Sequence, residues 1–443
     1  MLRNRLGIAA AAVAVVVLAI AAATSAATHR TQADAGNVVF ISSQLNAITE
    51  SEGFSNQIVK GFDGSVDKIP VPLGNTTMLP DRLKAESDAG KGTVSLVGGV
   101  HGDFPTLTQY LIDLSDVAKA MQNAGIPAEL FTLGKLGTNK QYYIPWMQAT
   151  YVMVANKKAL SDLPKGADIN HLSYGQFFKW AKNLNGHYGK PVVGFPNGTT
   201  GLFNRFLQGY LIPGFTGHLN TSFKSKWAVS GWLYMQQLWK YVHPQSLSYN
   251  FMDDPLRSGE VLVAWDHVAR LSTAVRERPD EYVVFPAPAG PKGRAYLPVL
   301  AGLAIPKTAP NAAGAKELIK YLDTVGPQAR LPQIAGFFPV VGARLSKQVG
   351  PGLLAIAAAV KTQQRSKDAL ASLLPVGLGA QGGNYNRIFT DTFTRIVINK
   401  EDVNKVIDDE AQKLQEVLNT AAAPCWKPDP ASTGTCQVGA ANP

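Results

Sequence analysis

Gln141-Tyr142-Tyr143-Ile144-Pro145-Trp146-Met147-Gln148-Ala149-Thr150-Tyr151-Val152-Met153-Val154-Ala155-Asn156-Lys157-Lys158 reads as one strand entering a wide turn and a second strand leaving it, with Trp146 and Gln148 carried on the turn. A chain that passes in this way from one apolar strand to the next joins two sheets, so what lies on either side decides the fold.

Upstream, strands and helices alternate. Asn37 to Ile41 is a buried-strand run, and Thr49 with Glu52 makes a capping-box pattern ahead of Phe54, Ile58 and Phe62 on one helical face. Ile69, Val71 and Leu73 alternate with polar or proline residues as an edge strand does, Met78 to Ala89 is helical, and Thr93 to Val97 is a strand ending in Gly98-Gly99. The order β-α-β-α-β builds an open α/β sheet whose ligands gather at the carboxyl ends of its strands. Ser42, Ser43 and Gln44 follow the first strand, and His101, Gly102 and Asp103 follow the third, so both groups are expected at one crevice.

Downstream, a second α/β unit starts. A helix is expected from Ser173 to Leu184, a short strand at Pro191 runs into a glycine-rich loop with Asn197 and Thr199, and Trp227 to Val242 is a long amphipathic helix. Glu260 to His267 is a strand with Trp265, Asp266 and His267 at its exit. The chain then returns: Leu300 to Lys307 is a strand before the helix Asn311 to Thr324, Ile334 to Val341 is a glycine-aromatic-Pro-Val segment, and helical stretches run to about Asn419, the last capped by Asn399.

In order and spacing these segments resemble the bacterial extracellular solute-binding proteins of carbohydrate-type ABC importers, the family typified by maltose-binding protein. The resemblance covers nearly the whole chain after its N-terminal segment. It implies an α/β, two-lobe periplasmic-binding-protein-like fold with a hinge and an interlobe ligand cleft. One lobe comprises 37–148 and 300–345, the other 149–299 and 346–420, and a tail covers 421–443. It also implies capture of a di- or oligosaccharide for membrane permease subunits, with no catalysis and no cofactor. One departure is that Val299, Leu300 and Ala301 stand where many relatives have a glycine pair and an aromatic, leaving Tyr296 or Phe338 to supply a stacking face.

The chain's two ends fit an exported protein. Arg3 and Arg5 precede an apolar run from Leu6 to Ala23 and small residues at Thr24 to Ala27, the order of a secretory signal within residues 1–27. The run is near the lower length of a membrane span, so cleavage and retention as an anchor both stand. Only Cys425 and Cys436 occur, so an N-terminal lipidated cysteine is excluded; outside the cell that pair is expected to close a disulfide in a Pro/Ser/Thr/Gly-rich tail with little to form a core. The net charge of +10 is spread along the chain with no basic run beside aromatics, which argues against nucleic acid. A monomer is expected.

A sugar offers C–H faces for aromatic rings and hydroxyls that need paired partners once desolvated. Trp146, Trp265 and Phe338 are candidate faces. Ser43, Gln44, Asp103, Gln148, Asn197 and Asp266 are candidate hydrogen-bonding groups, and His101 and His267 serve either way. No metal site is expected from two cysteines without a nearby histidine. No His-Glu-x-x-His, Gly-x-Ser-x-Gly or phosphate-loop pattern occurs. Gly377-Leu-Gly-Ala-Gln-Gly382 fits the dinucleotide pattern, but the helical sequence after it leaves no βαβ unit. Asp253-Asp254 are adjacent carboxylates that point apart, unlike a glycosidase pair. A glycerophosphodiester or polyol binder, a sugar-dependent sensor or adhesin, and a glycoside hydrolase are the alternatives.

Overall fold

The computed structural model describes residues 34–46, 48–72, 75, 77–341 and 349–441. The expected export signal, Leu73 of the edge strand and the chain crossing near 345 lie outside them. The strands are β1 (Asn37–Ser42), β2 (Ser65–Pro70), β3 (Leu96–Val100), β4 (Ile144–Ala149), β5 (Tyr151–Asn156), β6 (Val193–Gly194), β7 (Val263–His267), β8 (Tyr282–Phe285), β9 (Arg294–Tyr296), β10 (Val299–Ala304), β11 (Phe338–Pro339) and β12 (Ala369–Ala371).

Six of them form one sheet in the order β11-β4-β10-β3-β1-β2. β1 pairs parallel with β2 and β3, whereas β10 runs antiparallel between β3 and β4. A late strand inserted among early ones means the chain returns to this lobe after building much of the other. Its core includes Phe40, Phe54, Trp146, Leu303 and Leu318, all buried. The second lobe has the sheet β6-β7-β5-β8 and a separate core around Trp180, Tyr210, Trp232 and Trp265. The chain is thus a two-lobe α/β protein in which both lobes are discontinuous, since Leu353, Tyr385 and Leu414 return to the second core after β10.

The passage between lobes is sharper than a wide turn. β4 ends at Ala149 and β5 begins at Tyr151, so Thr150 alone separates the sheets and Trp146 and Gln148 lie within β4. Thr150 is buried; its Oγ1 donates to the Leu297 carbonyl at 2.9 Å and its own carbonyl accepts from Val268 N at 3.0 Å. The outgoing strand is therefore tied to the segment by which the chain returns.

Local signals position the remaining parts. Ser173 and Gln176 form a complete capping box on the helix Tyr174–Tyr188, and Asp402, not Asn399, caps the helix Val403–Ala421 by accepting from Lys405 N at 2.8 Å. Asp253 opens the helix Asp253–Ser258 and accepts from Ala274 N at 2.6 Å, a structural use of that carboxylate. The tail is more than a closed loop: Cys425 and Cys436 are bonded, Cys436 and Trp426 join the second lobe's core, and the buried Asp429 accepts from the backbone N–H groups of Leu219, Asn220 and Thr221. The expectation of a tail with little core is corrected by this packing, because one tryptophan and one buried carboxylate anchor an otherwise polar segment. Among the described residues no helix is long and apolar enough to cross a membrane.

Candidate functional site

The carboxyl ends of β1 and β3 open onto a cavity of about 260 Å³ that both lobes line. From the first lobe it receives Ser43, Gln44, Pro72, Asn75, Asp103 and Thr106; from the second, Arg205, Leu374, Pro375, Gly382 and Asn386. A wider hollow of about 420 Å³ lies between 49–57, 269–276 and 333–336, with half of its lining residues exposed.

Gln44 is 6% exposed; its Nε2 bonds the Ser43 hydroxyl while its Oε1 has no hydrogen-bond partner. A buried amide oxygen left unpaired is costly unless something supplies a donor. Asp103 is set by Val100 N, which donates to Oδ2 at 2.9 Å; burial pushes its pKa up to about 6, opposed by that bond and by the charge of Arg205. Arg205, on the short helix Phe203–Phe206, donates from Nη1 to Gln208 Oε1 at 2.8 Å and to Asn386 Oδ1 at 3.3 Å. Burial lowers its pKa, and among the described residues it forms no salt bridge. At Gly102 the lobes touch: Gly377 N donates to its carbonyl at 3.2 Å, and a Cβ there would stand 2.0 Å from the Pro375 carbonyl oxygen.

Of the residues expected at the ligand, the structure brings Ser43, Gln44 and Asp103 together in this wall. His101 stands behind it, its Nδ1 sharing a 2.8 Å hydrogen bond with the Tyr143 hydroxyl; burial holds its pKa down at about 4, so it is neutral. The others are placed elsewhere. Trp146 is wholly buried in the first core, edge-on to Phe40 and Phe54, because its side of β4 faces the interior. Trp265 is likewise core, stacked on Tyr151 at 4.7 Å and edge-on to Phe206. Asp266 is fully buried and already accepts from Met252 N at 3.0 Å and His267 N at 2.7 Å; burial lifts its pKa to about 7, against the pull of Arg270. His267 caps the helix Val268–Glu277, its Nδ1 accepting from Ala269 N at 3.3 Å, and burial holds its pKa near 3. Gln148 donates to the Pro339 carbonyl at 3.0 Å and faces Phe338 across the β4–β11 pair, so both serve the sheet edge. Asn197 lies in a loop fixed by its backbone bond to the Ser246 carbonyl at 3.0 Å, away from the cavity wall.

Sequence reasoning missed Arg205, Asn386 and the stretch Leu374–Gly383. The one available signal was Gly377-Leu-Gly-Ala-Gln-Gly382. It follows no nucleotide-binding strand but runs straight into the helix Gly382–Phe393, whose first turn lines the cavity.

Two lobes crossed by the chain, with a cavity at the strand ends between them, define a solute-binding protein of the periplasmic-binding type. The chain belongs to the bacterial extracellular solute-binding proteins: that family's model matches residues 84–329, more than half of its length. Its place is accordingly outside the cytoplasm. Among solved structures it is similar to maltose-bound MalE3 of T. maritima (TM-score 0.69, 18% identity, covering 86% of this chain and 100% of that one). It is also similar to the GacH receptor of Streptomyces glaucescens, solved unliganded and with acarbose (0.65, 15%, 87% and 98%). A third is UgpB of Mycobacterium tuberculosis in complex with glycerophosphocholine (0.64, 17%, 87% and 99%). No curated protein matches the sequence.

Proposed function

We propose that this protein captures a carbohydrate in the cavity between Gln44 and Arg205 and presents it, lobes closed, to the permease subunits of an ABC importer. The observation that carries the reading is the cavity's position at the strand ends: walls from two lobes, polar groups converging on about 260 Å³, and the buried Gln44 Oε1 without a donor. That volume lies just below the roughly 300–1,000 Å³ of ligand sites in general, so it admits one sugar unit, with the remainder of a di- or oligosaccharide passing through the mouth. The maltose and acarbose held by two similar folds support the ligand class.

The bodies that move are 37–148 with 300–345 and 149–299 with 346–420, the tail travelling with the second; the two separate cores support this division. Binding shifts the population toward the closed form only through contacts that span both lobes, which is what this cavity provides. The protein acts as a monomer and a carrier without catalysis. Residues 1–27 export it and, if uncleaved, tether it. The test is titration calorimetry against monosaccharides, disaccharides, oligosaccharides, polyols and glycerophosphodiesters, with solution scattering on each binder. A tight sugar that contracts the particle is expected. A sugar that binds without contraction, or whose affinity survives Gln44→Leu, refutes this placement.

A further inference from the structure

The two walls of the cavity differ in charge. On the first-lobe side stand Ser43, Gln44 and Asp103, a set suited to hydroxyl groups. On the second-lobe side stands Arg205, whose two hydrogen bonds both come from Nη1 and both end on neutral amide oxygens. A guanidinium has five N–H donors in a planar fork, and among the described residues no carboxylate stands within salt-bridge distance of this one, although the charge of Asp103 on the facing wall reaches it. Holding a partly desolvated cation whose direct hydrogen-bond partners are all neutral is unfavourable, and an anionic group in the fork relieves it more fully than Asp103 does from across the cavity.

The helix Gly382–Phe393 opens onto the same spot. The Gly382 N–H is taken by the Gly379 carbonyl of the turn before it, but Gln381 gives the following N–H groups no side-chain cap, and Gly382 and Gly383 line the cavity, so a ligand can approach that end of the helix closely, where negative charge is favoured. On the facing wall the unpaired, buried Gln44 Oε1 is an independent sign that a ligand atom belongs in the space, there a hydroxyl donor. The apolar part of the wall is aliphatic, Leu79, Val100, Leu107, Leu374 and Leu378 with prolines among them, without an aromatic ring, so the stacking that neutral sugars use elsewhere is absent from it.

We infer that the solute is an acidic sugar or polyol, its hydroxyls on Ser43, Gln44 and Asp103 and its single anionic group, carboxylate or phosphate, on Arg205 and the start of the helix Gly382–Phe393. This rests on the cavity being the capture site. It also gives the Gly377–Gly382 loop a role: its glycines bring backbone up to an anion, as in nucleotide sites, without the strand that a dinucleotide needs.

The test is calorimetry on the whole protein with matched pairs: glucose and glucuronate, sorbitol and gluconate, glycerol and glycerol 3-phosphate, glucose and glucose 6-phosphate. One acid is expected to bind at least about tenfold more tightly than its neutral twin, an advantage that shrinks as salt rises, and the carboxylate and phosphate arms tell which anion it is. Arg205→Gln should remove the advantage, so that within the variant the acid binds no more than about threefold more tightly than its neutral twin. Should that variant not fold, Asn386→Asp, which supplies a carboxylate beside Arg205, should abolish the acid preference instead. Neutral twins binding as tightly as the acids overturn this inference and spare the cleft, provided that scattering still shows contraction. Acids whose affinity is unchanged in both the Arg205 and Gln44 variants overturn the cleft as well.

Discussion

Gly102→Ala isolates closure from folding. Gly102 sits in the loop after β3, its φ outside the left-handed region, so alanine suits its backbone and slightly restricts the unfolded chain. The obstacle is across the cleft. The new Cβ would lie 2.0 Å from the Pro375 carbonyl oxygen, and an ordinary contact begins at 3.4 Å, so the second-lobe wall must retreat by about 1.4 Å. That retreat breaks the 3.2 Å bond from Gly377 N to the Gly102 carbonyl and thins the packing beside it. One such bond is worth about 0.5–1.5 kcal/mol, and with lost contacts the closed form should weaken by about 1–2 kcal/mol, or roughly 5- to 30-fold in affinity. The ligand-free melting temperature should hold or rise slightly, while the ligand-induced rise and the contraction in solution scattering both diminish. Gly186→Ala, on the helix Tyr174–Tyr188 with no atom within 4 Å of the new methyl, is the control. Wild-type affinity together with full contraction in Gly102→Ala would refute the reasoning, because the contact would then not belong to the closed state.

Trp146→Ala should lower unfolding stability by about 3–5 kcal/mol in a urea titration, from the cavity left beside Phe40 and Phe54, and leave the affinity of folded protein unchanged; a selective loss of affinity would return Trp146 to the site. Asp266→Asn tests buried charge: with a native pKa near 7 against about 3.9 unfolded, the wild type keeps a proton that the unfolded chain has released, so its stability falls as pH rises from about 4 to 7. The variant's melting temperature should therefore gain on the wild type across that window, and a constant difference would contradict the assignment. Replacing Cys425 and Cys436 together by serine opens a loop of 11 residues' separation and should cost up to about 3 kcal/mol, read by thermal melting at matched ligand occupancy; an unchanged melt would mean that the Asp429 contacts alone hold the tail.

The strands and helices were largely legible because their signals are local. The apolar run of β1, the helix start at Ser173 and the apolar strand before His267 each depend on a few neighbouring residues, whereas the alternation at Ile69, Val71 and Leu73 reaches only the end of β2, which runs Ser65–Pro70. The late insertion of β10 was legible only through the order of motifs. The cavity was harder for a definite reason. In a sheet covered on both faces there is no polar alternation to tell which side chains reach a cleft. β4 and β7 are of this kind, with five of six and all five residues buried, so Trp146, Trp265 and Asp266 gave no sign of facing inward. Ser43, Gln44 and Asp103 were found because they follow strand ends, where position, not side-chain pattern, carries the inference. Arg205 and Asn386 were not, since they lie on helices whose first turns meet only in the folded molecule.

That meeting explains why so much of the late chain is spent on bracing. Ser372 is held by its N–H on the Tyr296 carbonyl at 2.8 Å and its hydroxyl on the Gln208 carbonyl at 3.1 Å, and Leu373 N donates to Lys427 O at 2.9 Å. Further along, Tyr385 bonds Asn220 Oδ1 at 2.8 Å and packs edge-on against Trp426, while Asn220 and Thr221 are pinned by Asp429. The segment that carries Pro375, Gly382 and Asn386 is thus fastened at both ends to the second lobe, partly by the disulfide-closed tail. A wall fastened in this way is expected to move with the second lobe, so in the proposed closure Pro375 follows that lobe and not a local loop motion. The wall then cannot yield locally at Gly102, which is why a single methyl group there is expected to be felt in affinity.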